Sequence, residues 1–352
     1  MRTETTPPMR IEDPAAWTAA DFENDRPAWL TRLSEEELEE LEAAGRTYLA
    51  SGKDLGEIDA AAFPLPRMKE RLAALRQTLI DGIGFEVIRG LPVKTWPKAL
   101  SATVYCGIGA HLGSARSQNA QGHLLGHVTD TGADPKNANT RIYQTRAGQT
   151  FHTDSADVVG LLCLQNAKEG GDSLVVSTVS IHNEMMKRDP ELTRLLHGPI
   201  ATDRRGETPP GEKPYFTIPV FNWHEDRLTG VYQRPYIESA QRFDDAPRLT
   251  DAHIAAFDLF DEISTAPEMH IRMRLEPGDI QFVYNHALLH DRTPFVDWPD
   301  PAERRHLLRL WLAIPGDRTL PEVFRQRYGP IEVGDRGGII CEGTTLNASL
   351  DF

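Results

Sequence analysis

Cysteine is scarce in this chain: three residues among 352, Cys106, Cys163 and Cys341, with no C-x-x-C pair. Neither a structural zinc site nor a disulfide framework is therefore expected. Cys163, inside the apolar run Val158–Leu164, reads as a small buried hydrophobe. Long apolar runs are missing too. No stretch approaches the roughly 20 residues that span a bilayer, and Met1 to Asp13 is polar and lacks the apolar region of a secretory signal. The expectation is a cytoplasmic chain with no membrane partner. Basic charge is in deficit, with 38 Lys+Arg against 52 Asp+Glu and a net charge of −14. No basic stripe is available to displace counterions, which argues against a nucleic-acid partner. One cleft can still be basic. Internal repeats are absent, and Gly107-Ile108-Gly109-Ala110-His111-Leu112-Gly113 has the wrong spacing and setting for a dinucleotide loop.

What is present is an ordinary globular composition, 40% hydrophobic and 26% charged, which predicts a well-packed core. Residues 1 to about 15 read as disordered. Ser34 with Glu37 forms a capping box, opening a helix that carries Leu38, Leu41, Tyr48 and Leu49 and stops near Gly52. Met68, Leu72, Leu75 and Leu79 are spaced four, three and four apart, the period of a second amphipathic helix. After Asp81-Gly82, Phe85–Arg89 reads as a strand. Beyond residue 140 short β-like runs follow: Val158–Leu164, Ser173–Val176, Tyr215–Val220, Met269–Leu275, Ile280–Tyr284 and Leu307–Ile314. Helical inserts are expected near 180–196 and 250–264. Without βαβ alternation, this pattern predicts a mainly β architecture with flanking helices, a sandwich or barrel rather than a doubly wound sheet.

The chemistry concentrates at Phe151-His152-Thr153-Asp154-Ser155. Residues two apart on an extended segment share a face, so His152 and Asp154 can offer an imidazole nitrogen and a carboxylate oxygen to one ion. A second histidine from elsewhere would complete two His and one carboxylate, leaving three open positions for iron(II) oxygen chemistry. His286 and His290 both follow the Pro277-Gly278-Asp279 turn and its strand, and four residues along one strand would preserve the face. Further on, Arg305 and Arg309 sit in an otherwise apolar segment, where each guanidinium needs a buried anionic partner.

Taken in order, Gly82–Gly90, His152-Thr153-Asp154, Gly170-Gly171-Asp172-Ser173, Gly278-Asp279-Ile280, Leu289-His290-Asp291-Arg292 and Arg305 with Arg309 resemble the TauD/TfdA family of iron(II)/2-oxoglutarate dioxygenases, clavaminate-synthase-like members included. The resemblance implies a double-stranded β-helix, or jelly-roll, core of cupin type with an N-terminal helical extension: residues 1–60 carrying one helix, then a dioxygenase domain over 61–352 with a lid at about 113–150. It implies Fe(II), 2-oxoglutarate and O2 as cofactor and co-substrates, with succinate and CO2 released as a small organic substrate is hydroxylated, desaturated or cyclised. By that resemblance His152, Asp154 and His290 are the metal ligands, Arg305 with Ser173 anchors 2-oxoglutarate, and Arg309 faces the keto-acid or an anionic substrate, a salt bridge to one of the chain's own acids being the alternative. Gln118, Asn119 and His286 are candidate substrate contacts, and Arg292 braces the loop around His290. A homo-oligomer remains open. A halogenase would need the carboxylate ligand removed, which Asp154 opposes. Two other readings compete: a zinc hydrolase on the same ligands, which leaves Arg305 without a purpose, and a non-enzymic barrel binding protein, which predicts no iron uptake and no succinate.

Overall fold

The structure is a computed structural model describing residues 7–22, 29–134 and 141–350. Aliphatic and β-branched residues between turn residues form its strands. Val158–Gln165, Ile280–Tyr284 and His306–Ala313 pair antiparallel at the centre of a seven-stranded sheet. Phe85–Arg89 and Leu30–Arg32 extend it on one side, Leu125–Thr129 and Ser114–Ala115 on the other. A three-stranded antiparallel sheet, in the order His270–Met273, Ser173–Ser177, Leu288–Arg292, lies across from it. The two sheets touch where Ser173 Oγ donates to Gln281 Oε1 at 2.8 Å. This two-sheet core with flanking helices is the jelly-roll expected from the sequence.

Strand alternation decides what each face does. From His306–Ala313, Leu308, Leu310 and Leu312 enter the large core shared with the helices Glu35–Ala50, Lys69–Asp81 and Lys98–Leu112, while Arg309 and Trp311 point between the sheets. On the smaller sheet Leu174, Val176 and Leu289 pack outward against Thr178–Arg188 and Asp251–Thr265 through Val179, Met185, Phe257 and Phe260. Polar side chains are thus collected in the space between the sheets. Gly278 turns the chain into Ile280–Tyr284 at φ +94°, and a Cβ there would lie 2.0 Å from Leu91 O. The turn is fixed by Asp279, which accepts from Arg89 Nε at 2.8 Å, Arg89 Nη2 at 2.7 Å and the Glu276 amide at 2.7 Å.

Three expectations change. The helix expected over 180–196 is two, Thr178–Arg188 and Pro190–Leu195, because Asp189 is extended (φ −150°) before a proline and caps the second helix. The N-terminal stretch is ordered from residue 7: Ile11 is buried and donates its amide to Asn183 Oδ1 at 2.8 Å, while residues 1–6 lie outside the described residues. The segment expected as a lid over 113–150 contains two strands of the large sheet, Ser114–Ala115 and Leu125–Thr129. Among its described residues, Val128, Tyr143 and Gln149 line the cavity beside His290.

Candidate active site

His152 forms an antiparallel bridge with His290, amide to carbonyl in both directions at 3.0 Å, which sets the two rings 4.3 Å apart. Asp154 follows on the same face. Its Oδ1 lies 3.8 Å from His152 Nε2 and its Oδ2 lies 3.7 Å from His290 Nε2. The three donor atoms all fall within 4.8 Å of one another. His152 Nδ1 lies 2.8 Å from Thr150 O, a contact that places the proton there and leaves the Nε2 lone pair for a ligand. Burial, with His290 adding to it, pushes His152 down to about 4 against the pull of Asp154. The imidazole is therefore neutral near pH 7, the state a metal requires. For Asp154 burial acts upward, but Arg309 and the two imidazoles outweigh it and hold the carboxyl well below the usual range.

Asp154 is oriented from behind. Trp311 Nε1 donates to Oδ2 at 2.8 Å, Arg309 Nη1 stands 3.5 Å from the same oxygen, and the Asp154 amide donates to Asn285 Oδ1 at 3.2 Å. Arg309 is sandwiched between the rings of Tyr143 and Trp311, at 4.6 and 5.1 Å, and its Nε donates to Gln118 Oε1 at 2.7 Å. Among the described residues, the acid at ion-pair distance from Arg309 is Asp154. Gln118, expected as a substrate contact, is buried and acts through Arg309: its Nε2 donates to Arg309 O at 2.8 Å and Leu124 O at 3.1 Å.

Beside His290 opens a small cavity whose wall includes Ser173, Asp291, Arg292, Arg305 and Arg309. Arg305 is buried against the Phe295 ring at 5.2 Å, and its Nη1 has no partner among the described residues. Burial pushes it down to about 10. Gly171, at φ +73°, lets the guanidinium lie against the main chain, since a Cβ would sit 2.9 Å from Arg305 Nε. An unpaired buried guanidinium costs several kcal/mol, so the cavity suits a carboxylate. Ser173 shares this wall, with its hydroxyl proton already directed at Gln281.

A second, larger cavity reaches Asp154 and Trp311 from the other side and is lined by Arg141, Arg204, Tyr236 and Arg327, among others. Arg141 pairs with Glu207, and Arg204 lies 3.6 Å from Glu212. Arg327 donates to Thr153 O at 2.8 Å, and among the described residues no carboxylate stands at ion-pair distance from it. Sequence reading missed Arg327, Tyr236, Trp311 and Asn285. Only Trp311, two residues after Arg309 on the same face, carried a usable signal.

His286 is a correction. The chain reverses at 285–287 between the Ile280–Tyr284 and Leu288–Arg292 strands, so His286 and His290 do not share a strand face. His286 Nε2 lies 2.8 Å from Asp157 Oδ1, and the guanidinium of Arg336 bonds Asp157 at 2.7 Å and Asp317 at 2.8 Å. Asp157, His286 and Asp317 could hold an ion by composition, but Arg336 already fills that place with the chain's own cation. Asn119 is likewise turned onto its own loop, accepting from the amides of Gln121 at 3.1 Å and His123 at 3.3 Å.

A family model described as "Taurine catabolism dioxygenase TauD, TfdA family" matches residues 51–311. The chain is 34% identical to "FR-33289 synthase" of Streptomyces rubellomurinus over 90% of this chain and 94% of that protein. It is 29% identical to "Taurine hydroxylase-like protein SAT17" of Stachybotrys chartarum over 86% and 79%. Among solved structures, asparagine oxygenase in complex with Fe(II), hydroxyasparagine and succinate matches with a TM-score of 0.63 at 18% identity, covering 81% of this chain and 93% of that one. The non-haem iron oxygenase OrfP with Fe and α-ketoglutaric acid matches at 0.61 and 17%, covering 80% and 93%. These last two likenesses concern the fold.

Proposed function

The chain belongs to the TauD/TfdA family of iron(II)- and 2-oxoglutarate-dependent dioxygenases, and on that premise we propose how its residues divide the work. Family membership sets aside the zinc hydrolase and the non-enzymic barrel. The enzyme oxidises a small organic molecule; for hydroxylation, 2-oxoglutarate, O2 and R–H become succinate, CO2 and R–OH. Bound iron and 2-oxoglutarate supply the oxidising chemistry.

The observation that carries the site assignment is the convergence of His152, Asp154 and His290 beside a cavity in which Arg292 and Arg305 have N–H groups without a partner among the described residues. The two histidines and Asp154 hold the iron, Trp311 and Arg309 fix the Asp154 carboxylate, and Arg305 takes the distal carboxylate of 2-oxoglutarate as a charge-assisted fork. Ser173 assists when Gln281 turns its amide over and donates to the serine oxygen, which frees the hydroxyl proton. The substrate occupies the larger cavity. An anionic group on it meets Arg327, the guanidinium there without an acidic partner, which places the reacting carbon toward Asp154 and the metal.

Anaerobic Fe(II) titration of His152→Ala, Asp154→Ala and His290→Ala, with circular dichroism to confirm folding, tests the ligand set. Each variant should lose tight uptake, and a folded variant that binds like wild type removes that residue from the set. Arg327→Gln should raise the substrate KM while 2-oxoglutarate affinity stays unchanged. Equal KM values would refute the anion reading.

A further inference from the structure

The cavity wall contains more cation than one carboxylate anchor requires. Arg292, on the Leu288–Arg292 strand, is as buried as Arg305, and the two guanidinium carbons lie 4.9 and 5.2 Å from the centroid of the same ring, Phe295. Arg292 spends only one corner of its guanidinium. Its Nη2 donates to Thr145 O at 3.1 Å and to Ala147 O, whereas Nε and Nη1 have no partner among the described residues. The acid on this wall, Asp291, is turned onto the Arg292 amide at 2.5 Å. A side chain kept only to brace a loop would not need two further buried donors left open on a cavity wall, since each unmet donor is costly.

The loop that Arg292 holds is itself part of both cavities. Gln149 donates its amide to Arg292 O at 3.0 Å. Tyr143 lies under Arg309, and Arg141 lines the larger cavity, where its Nη1 stands 3.2 Å from Tyr236 Oη. Residues 141–149 therefore run from the smaller cavity to the larger one.

We propose that Arg292 is a second anchor for the distal carboxylate of 2-oxoglutarate, and that by holding the Thr145 and Ala147 carbonyls it makes the order of segment 141–149, and so the shape of the substrate cavity, depend on co-substrate binding. This rests on the assignment of the smaller cavity to 2-oxoglutarate. A carboxylate presents two oxygens and about four lone-pair sites, enough for a fork from each arginine. With its open donors met and its charge neutralised, Arg292 is fixed, and the two carbonyls it carries are fixed with it.

The test uses the Fe(II)-loaded protein without oxygen, so nothing turns over. Calorimetry gives 2-oxoglutarate affinity, and hydrogen–deuterium exchange follows the amides of 142–149. In wild type, 2-oxoglutarate should slow exchange across that segment. Arg292→Ala should weaken 2-oxoglutarate on the order of tenfold or more and abolish the protection, while iron binding is retained. Arg292→Lys should recover part of the affinity but not the protection, because a single ammonium cannot reproduce the fork. A probe on unaltered protein covers the case of a misfolded variant: 2-oxobutyrate keeps the keto-acid end but lacks the distal carboxylate, and should bind without protecting 142–149. The proposal is overturned if folded Arg292→Ala binds 2-oxoglutarate like wild type, if 2-oxoglutarate leaves the segment's exchange unchanged, or if 2-oxobutyrate protects it equally. Should Arg305→Ala also bind 2-oxoglutarate normally, the cavity assignment itself fails; a loss in Arg305→Ala alone sinks only the role of Arg292.

Discussion

Replacing Trp311 by phenylalanine removes one donor and keeps most of the ring. The neutral indole Nε1 is 2.8 Å from Asp154 Oδ2, while the other donor beside that oxygen, the cationic Arg309 Nη1, stands at 3.5 Å, too far to take over without moving. Among the described residues these donors act on Oδ2, and none reaches Oδ1. They therefore pin the carboxylate so that one oxygen is free for a metal. A hydrogen bond to a charged acceptor contributes about 1.5–3 kcal/mol. If that orientation is spent on metal binding, its loss corresponds to roughly 10- to 100-fold in affinity, the range found for partners behind metal ligands. The phenyl ring can still stack beneath Arg309, so the fold should tolerate the change. Anaerobic Fe(II) calorimetry of Trp311→Phe beside wild type, with a thermal melt of each, reads both quantities. Iron affinity within about twofold of wild type would show that the main chain and Arg309 orient Asp154 unaided, and the reasoning would be wrong.

Arg305→Ala should weaken 2-oxoglutarate by about 2–5 kcal/mol, and Ser173→Ala by near 1 kcal/mol, read from the keto-acid dependence of succinate formation; equal effects would contradict the ranking. Arg336→Ala leaves Asp157 and Asp317 buried without their cation and should cost about 3–5 kcal/mol in denaturant unfolding, whereas an unchanged midpoint would mean that water or His286 compensates. His182 and His197, 3.2 Å apart, are each pushed down to about 4, first by burial. Their folded pKa lies below the unfolded value of about 6.5, so the unfolded state takes up protons first. Their stabilising contribution is complete above about pH 6.5 and is lost as pH falls toward 4. Thermal melts between pH 7.5 and 5 should therefore fall less steeply in His182→Gln than in wild type; parallel slopes would dismiss the pair as the cause.

Much of the frame was legible because its signals are local. The strands Phe85–Arg89 and Ile280–Tyr284 were read to the residue from turn residues around short apolar runs, and the Ser34–Glu37 box starts a helix where the spacing says it must. The two-residue spacing of His152 and Asp154 likewise survives folding as a shared face. What was hidden depends on contacts between distant segments. Whether His286 or His290 joins Asp154 is decided by the reversal at 285–287, three residues whose composition does not exclude continuing the strand. Arg336 reaches a buried pocket from fifty residues beyond His286, and Arg327 enters its cavity from a four-residue helix, Arg325–Tyr328, too short to leave a period.

Arg309 shows why the substrate side is the hardest to read. Elementary electrostatics says that a buried guanidinium must meet an anion, and that holds here, but it does not say which anion. Substrate, keto-acid and protein carboxylate satisfy the requirement equally well on paper. Among the described residues the acid at ion-pair distance from Arg309 is Asp154, and Gln118 and two aromatic rings hold the guanidinium beside it. The unmet demand for negative charge then passes to other guanidinium groups: Arg305 and Arg292 on one side of the metal ligands, Arg327 on the other. In a chain with a net charge of −14, guanidinium groups that line a cavity without an acidic partner are the informative ones. The grouping of Arg292, Arg305 and Arg327 on the walls of two cavities that meet at His152, Asp154 and His290, one beside His290 and one at Asp154, is what supports the proposed division between keto-acid and substrate.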